Sequence, residues 1–386
     1  MNFIDTDEKL IDFCHILETQ EFITVDSEFL RERSYYPRLC LLQIGYDGGS
    51  AIVDPLSNTD LTPFFKILEN KNITKVFHAG RQDIEIFYNF TGKIPENIFD
   101  TQIAAMVCGF GENVSYGTLV KEITSVELDK SCRLTDWSIR PLDNEQLEYA
   151  LHDVTYLVDC YKYLKEQMEK DGRTDWIKDE MASIYDEKCY CINPEEAWHR
   201  IRHNVHSQQF LSALKYLAEW REIRAQKFNT PRQSVIKDDI LLNLASVRPT
   251  NQSELRQVRN LKSDVINGKL GDEILEAIRK AQENPLAPEE CKYDRNNDIH
   301  IAAKEQSLLE MLHFLLKLQC LENNVVCRLV ASEEDLRYFV RKEFDKTSIL
   351  NSWRYEIFGK YAEKLCEGEL AITYNPQKKK IEINQF

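Results

Sequence analysis

A single change of spacing among the apolar residues divides this chain in two. Up to about residue 165, short β-rich runs alternate with helical patterns. Phe22-Ile23-Thr24-Val25 is the first run, and Leu39 to Ile44 and Ala51-Ile52-Val53 follow closely, as in a hairpin or meander. Leu61 to Leu68 then reads as a helix, Lys75-Val76-Phe77 as a strand, Asp83 to Asn89 as a helix and Ile98-Phe99 as the start of a strand. Gln146 to Met168 is a long amphipathic helix. Strands first and β-α alternation afterwards imply an α/β domain, a mixed sheet with helices on its faces. From about residue 195 the strand signal stops. Phe210, Leu214, Leu217 and Arg221 continue a helical stripe, and Leu308 to Leu321, the capping-box pattern at Ser332 and Asp335, and Trp353 to Leu365 extend helix towards the C-terminus. Asn284-Pro-Leu-Ala-Pro-Glu-Glu reads as a linker between two small all-helical modules. The expected division is an α/β domain over 1–200, a helical module over 201–286 and a second, related helical module over 287–386.

Composition narrows the class. The 386 residues are 43% hydrophobic, an ordinary globular share that excludes collagen-like and disordered chains. No apolar run approaches the roughly 18–20 residues of a membrane span, and Met1 to Leu10 is polar and acidic, unlike a signal or transit peptide. The eleven cysteines are scattered, with only Cys189 and Cys191 close together and no zinc spacing, which suits reduced thiols in a cytoplasmic protein. The net charge of −15 opposes binding to a polyanion, yet it is unevenly spread. Arg200 to Asn284 holds 15 basic and 10 acidic residues, leaving the remainder at −20.

Three short motifs carry the chemistry. Asp26 and Glu28, one residue apart at the end of the FITV strand, project from the same face. Like charges so close are costly unless a cation or proton neutralises them. His78-Ala-Gly-Arg-Gln-Asp83 follows the KVF strand and puts Asp83 in the first turn of a helix, where the dipole favours a carboxylate. Tyr149 and Asp153 stand four apart on the long helix and share a face. An exposed strand end or a solvated helix face would account for each motif singly, but not for the ordered set. Four carboxylates can hold two hard, oxygen-preferring divalent cations, Mg2+ with Mn2+ as the alternative. Two such ions clamp the attacking and leaving oxygens of a phosphodiester, and the phenol orients the attacking water.

With these motifs in place, the chain resembles the ribonuclease D family. VDSEFLRERSYYPRLCLLQIG, KVFHAGRQDIEIF and LEYALHDVTYLVDCY are similar to its three exonuclease motifs, and FDTQIAA and TDWSIRPL to its connecting segments. The first helical module is similar to the family's helicase-and-RNase-D C-terminal (HRDC) domain, and the second is expected to be HRDC-like. The resemblance implies a ribonuclease-H-like mixed sheet and a metal-dependent 3′-to-5′ exoribonuclease that releases 5′-mononucleotides. It also implies trimming of tRNA precursors and other structured RNA 3′ ends. By position, Asp26, Glu28, Asp83 and Asp153 become metal ligands, and Tyr149 marks the tyrosine subclass of these exonucleases.

Around this set, Phe29 could support the terminal base, Arg31, Arg33, Tyr35 and Tyr36 combine cations with π faces suited to phosphates and bases, and His78 could touch substrate. Trp137 and Arg140 could rim the site. His152, next to Asp153, should face away because helical neighbours point about 100° apart. Arg221, Arg224, Lys227 and Arg232 form the densest basic stretch of the first helical module. The expectation is a monomeric cytoplasmic exoribonuclease with RNA as its partner and no membrane association. The alternatives are a DNA-directed exonuclease using the same carboxylates and a catalytically inactive RNA-binding adaptor, which loss of a carboxylate would favour.

Overall fold

The computed structural model describes residues 2–291 and 301–386. Six strands form one mixed sheet: β1 (Asn2–Ile4), β2 (Phe22–Leu30), β3 (Arg38–Tyr46), β4 (Gly49–Val53), β5 (Thr74–Phe77) and β6 (Ile98–Asp100). Their order is β1-β4-β3-β2-β5-β6. The meander β2-β3-β4 is antiparallel, β1 runs parallel to β4, and β5 runs parallel to both β2 and β6. The expected strands and their alternation with helices are all present.

Alternation along β3 sorts the two faces. Leu42 and Ile44 pack with Leu10, Phe64 and Ile84 beneath α1 (Asp7–Leu17), α2 (Thr62–Leu68) and α3 (Arg81–Thr91). Leu41 turns the other way and packs with Ile52 and Ala150, towards the face covered by α4 (Thr101–Val107), α5 (Tyr116–Thr124) and α6 (Asn144–Lys170). A capping box starts α6, with Asp143 accepting from the Gln146 backbone N–H and the Gln146 side chain returning the bond. Gly45 brings α6 down onto the sheet. A Cβ there would collide with Thr24 Oγ1 and stand 2.9 Å from the Val154 carbonyl oxygen.

After α7 (Lys178–Ile184) comes the first helical module: α8 (Gln208–Lys227), α9 (Arg232–Val235), α10 (Asp238–Val247), α11 (Gln252–Leu255), α12 (Ser263–Ile266) and α13 (Lys269–Glu283). Leu214, Leu217, Leu244, Leu255 and Ile274 fill its core. Trp198 and Ile201 belong to that core too, so the module begins a few residues before 201.

The last segment holds α14 (Gln306–Glu322), α15 (Cys327–Val330), α16 (Glu333–Val340), α17 (Ser352–Arg354) and α18 (Lys360–Glu367). Two findings differ from the all-helical, self-contained module expected there, of which residues 292–300 lie outside the described set. Leu309, Leu312 and Leu316 share one hydrophobic cluster with Ala104, Leu157 and Leu164 of the α/β domain, and Trp353 stacks on Trp176 at 4.3 Å. The chain then closes on a hairpin, β7 (Leu370–Asn375) paired antiparallel with β8 (Lys380–Gln385). Its signal is a short period-two alternation, Leu370, Ile372, Tyr374 and then Ile381, Ile383, which a helical reading of the region passes over. Among the described residues no helix is long and apolar enough to cross a membrane.

Candidate active site

Thr24 fixes which way β2 points its functional side chains. Its hydroxyl donates to the Val154 carbonyl of α6 at 2.8 Å, so Asp26 and Glu28, at the same parity, also face α6. The ladder with β3 slips between Glu28 and Phe29, a bulge at the end of the carboxylate pair. Tyr149 and Asp153 come from α6, one turn apart. One oxygen each from Asp26, Glu28 and Asp153 lie within 4.8 Å of one another. Asp83 stands just outside that trio and reaches the same cavity from α3.

The turn that delivers Asp83 is built by Asp100. One carboxylate oxygen accepts from the Ala79 N–H and the other from the Gly80 N–H, both at 3.0 Å, holding Ala79 at φ 55°. Gly80 is required by close approach, because a Cβ would run into the Phe77 side chain. Asp83 itself is 8% exposed and accepts a hydrogen bond from Ser27, which points to the opposite face of β2 from Asp26 and Glu28.

The four carboxylates and Tyr149 line one cavity of about 500 Å3, together with Phe29 and His78. Burial, then repulsion from Asp83, Asp153 and Glu28, raises Asp26 well above the usual carboxylate range. Glu28 is pushed up to about 8 by burial and by Asp153 and Asp83, with Arg133 pulling the other way. Asp153 rises to about 7 through burial and the charge of Asp83. Asp83 rises to about 6 through burial, opposed by the Ser27 hydrogen bond. Four oxygen donors that repel one another in a low-dielectric cavity are the donor set for hard divalent cations, which remove the repulsion. The Tyr149 phenol is raised by burial and then by Asp153, Glu28 and Asp26, so it remains a protonated hydrogen-bond donor.

The outer expectations divide. Phe29 faces the cavity as expected. His78 lines it too, but Nδ1 is 3.0 Å from Thr101 Oγ1 and Nε2 is 3.1 Å from the Val114 carbonyl, so both ring nitrogens tie segments together. Trp137 is buried and packs against the Tyr149 ring at 5.9 Å, supporting the phenol from beneath instead of rimming the site. Arg140 does not line the cavity. Its guanidinium is taken up by Asp54 at 2.7 and 2.8 Å and by the Cys40 and Trp137 carbonyls. Arg33 is exposed on the 31–37 loop, and Tyr36 lines a separate cleft at the junction with the helical module. His152 faces away, beside Glu148 and Tyr156.

Two cations that line the cavity, Lys130 and Arg133, are not among the residues that the sequence motifs single out. They lie in the segment just before TDWSIRPL, and their only signal is a pair of basic residues ahead of the tyrosine helix. In the helical module, three of the four residues of the densest basic stretch are already paired: Arg221 with Asp238, Arg224 with Glu273 and Arg232 with Glu222.

Comparison with known proteins agrees with this geometry. The 3′-5′ exonuclease family matches residues 1–169, and the HRDC domain matches residues 210–278. Ribonuclease D of Zymomonas mobilis is 42% identical over 362 residues, covering 93% of this chain and 92% of that protein. Ribonuclease D of Bartonella henselae is 39% identical over 360 residues, covering 92% and 87%. Among solved structures, Escherichia coli RNase D, an exoribonuclease involved in structured RNA processing, superposes with a TM-score of 0.78 at 28% identity, covering 95% of this chain and 99% of that one.

Proposed function

The chain belongs to the ribonuclease D family and is a 3′-to-5′ exoribonuclease, and from that premise we propose how its residues divide the work. Asp26, Glu28, Asp83 and Asp153 would hold two divalent cations, Mg2+ with Mn2+ as the alternative. Ions bound there supply Lewis-acid polarisation of the phosphodiester and activation of water. Tyr149, one helical turn from Asp153, keeps its proton and orients the attacking water by hydrogen bonding. Lys130 and Arg133 present positive charge to the scissile phosphate, and Phe29 offers a face to the terminal base. The products are 5′-mononucleotides.

The observation that carries this reading is the convergence of four carboxylates and one phenol, from β2, α3 and α6, on a single cavity. The substrates we propose are the 3′ ends of structured RNAs, tRNA precursors among them, in keeping with the processing role of the E. coli relative. The protein would act as a monomer in the cytoplasm. The DNA-directed and inactive-adaptor alternatives are not favoured, since the relatives are ribonucleases and all four carboxylates are present. Incubating the purified protein with internally labelled RNA, with and without EDTA, tests the proposal. Stepwise release of mononucleotides from the 3′ end only with divalent metal is expected, and metal-independent or endonucleolytic cleavage would overturn it.

A further inference from the structure

Five side-chain hydrogen bonds between the helical module and the sheet domain converge on two consecutive tyrosines, and Gln226 Nε2 also donates to the Ile192 carbonyl at 3.1 Å. The Tyr35 hydroxyl donates to the Glu222 carboxylate and accepts from Gln226 Nε2 at 3.1 Å and Arg232 Nη2 at 2.9 Å. The Arg232 guanidinium lies 4.7 Å above the Tyr35 ring while gripping Glu222 through Nε at 2.5 Å and Nη2 at 2.7 Å. Asn229 Oδ1 accepts from the backbone N–H groups of both Tyr35, at 3.0 Å, and Tyr36, at 2.9 Å. Glu222 is only 1% exposed, a carboxylate buried at a boundary between domains and satisfied from both sides. Removing one partner from such a network leaves a buried polar group exposed to its full desolvation cost.

The place of the joint gives it a role. Tyr35 and Tyr36 sit on the 31–37 loop that leaves β2, the strand of Asp26 and Glu28. Arg31 of the same loop holds Glu85 of α3, the helix of Asp83, through two hydrogen bonds of 2.8 and 2.7 Å. The carboxylates themselves are held by the sheet, since β2 stays paired with β3 through Leu30 and Arg38. The loop is therefore a fixed platform, and what it fixes is the module.

We propose that Tyr35, Glu222, Asn229 and Arg232 form a latch that sets the orientation of the helical module relative to the exonuclease cavity, so that only RNA long enough to touch both is held by both. These are positioning residues, and the proposal rests on the exoribonuclease reading above. A second hold on the same strand raises affinity through effective concentration, and that gain disappears when its geometry is no longer set.

The test uses the full chain carrying Tyr35→Phe and Asn229→Ala, which leaves the Glu222–Arg232 pair intact. Small-angle scattering should give a larger radius of gyration, and trypsin should cut faster at the exposed Lys188, in the segment between α7 and the helical module. KM for a 30-nucleotide single strand should rise about tenfold, while kcat and KM for a tetranucleotide stay within about twofold. Asn229→Asp, which keeps the accepting oxygen, should behave as wild type. Unchanged scattering and proteolysis would overturn the latch, as would an unchanged KM for the long strand or an equal loss on the tetranucleotide. If the double variant fails to fold by circular dichroism, Asn229→Ala alone decides by the same readouts. A wild-type protein that does not shorten the tetranucleotide from its 3′ end defeats the exoribonuclease reading, and scattering and proteolysis still judge the latch.

Discussion

Asp26 faces three other carboxylates, so its charge does two opposite things. In the proposed site it would hold metal, and without metal it strains the fold. Asp26→Asn keeps the shape and removes the charge. Activity should fall by more than the roughly 10–100-fold that losing an outer partner of a metal ligand costs, while the melting temperature in EDTA rises. The same repulsion sets a pH dependence. Glu28, Asp153 and Asp83 titrate at about 8, 7 and 6 in the folded chain, above their unfolded values of about 4, so the folded state keeps protons that the unfolded state has released. Stability of the metal-free protein should therefore fall as pH rises from about 4 to about 8, and fall less in Asp26→Asn. Melting curves in EDTA across that range check the sign, and a rise with pH would contradict it. Tyr149→Phe separates positioning from metal binding: turnover should drop about 10²–10⁴-fold with metal affinity by calorimetry nearly unchanged.

Strands and helices bring these residues together, and most of that is readable in the sequence. Parity places Asp26 and Glu28 on one face, the post-strand turn places Asp83, and helical spacing joins Tyr149 to Asp153 and turns His152 away. What parity and spacing cannot reveal is which partner a long side chain finds. Arg140 looks like a rim residue because it precedes the tyrosine helix, but Asp54, 86 residues earlier, occupies its guanidinium. Tyr35 looks like a base-stacking residue, and its hydroxyl is consumed by a helix 187 residues later. Lys130 and Arg133 reach the cavity from an irregular segment with no periodicity to read. The close seat of α6 on the sheet is equally invisible without the partner helix, and it is testable. Gly45→Ala puts a methyl against Thr24 and the Val154 carbonyl, so it should destabilise the fold by about 1–3 kcal/mol. Because the displaced helix carries Tyr149 and Asp153, kcat should fall as well. An unaltered melting temperature would mean that α6 has room to spare.

At the scale of the whole molecule, an acidic chain must hold a polyanion. Its locally positive part is the helical module, but pairing subtracts Arg221, Arg224 and Arg232 from what RNA can meet. Among the module's other cations are Lys227, Lys269 and Lys280. They line a groove of about 380 Å3 between α8 and α13 with Trp220 and Phe228, cations and aromatic faces that a single strand can use, although Glu219, Glu273 and Glu276 line it too. Deleting the chain after about residue 205 would be a poor test of this grip, because it would also strip α14 from the apolar surface of α4 and α6 and invite aggregation. Replacing the three lysines by glutamine in the full chain avoids that. Affinity for a long single strand, measured at several salt concentrations with calcium in place of magnesium to limit turnover, should weaken. The slope against log[salt] should shrink by about 0.7 for each phosphate that no longer meets a lysine. Turnover of a tetranucleotide should be unchanged, since the cavity is untouched. If the slope stays at the wild-type value, the module does not grip RNA through this groove, and other cations, Lys130 and Arg133 around the cavity or those elsewhere on the module, carry the electrostatics instead.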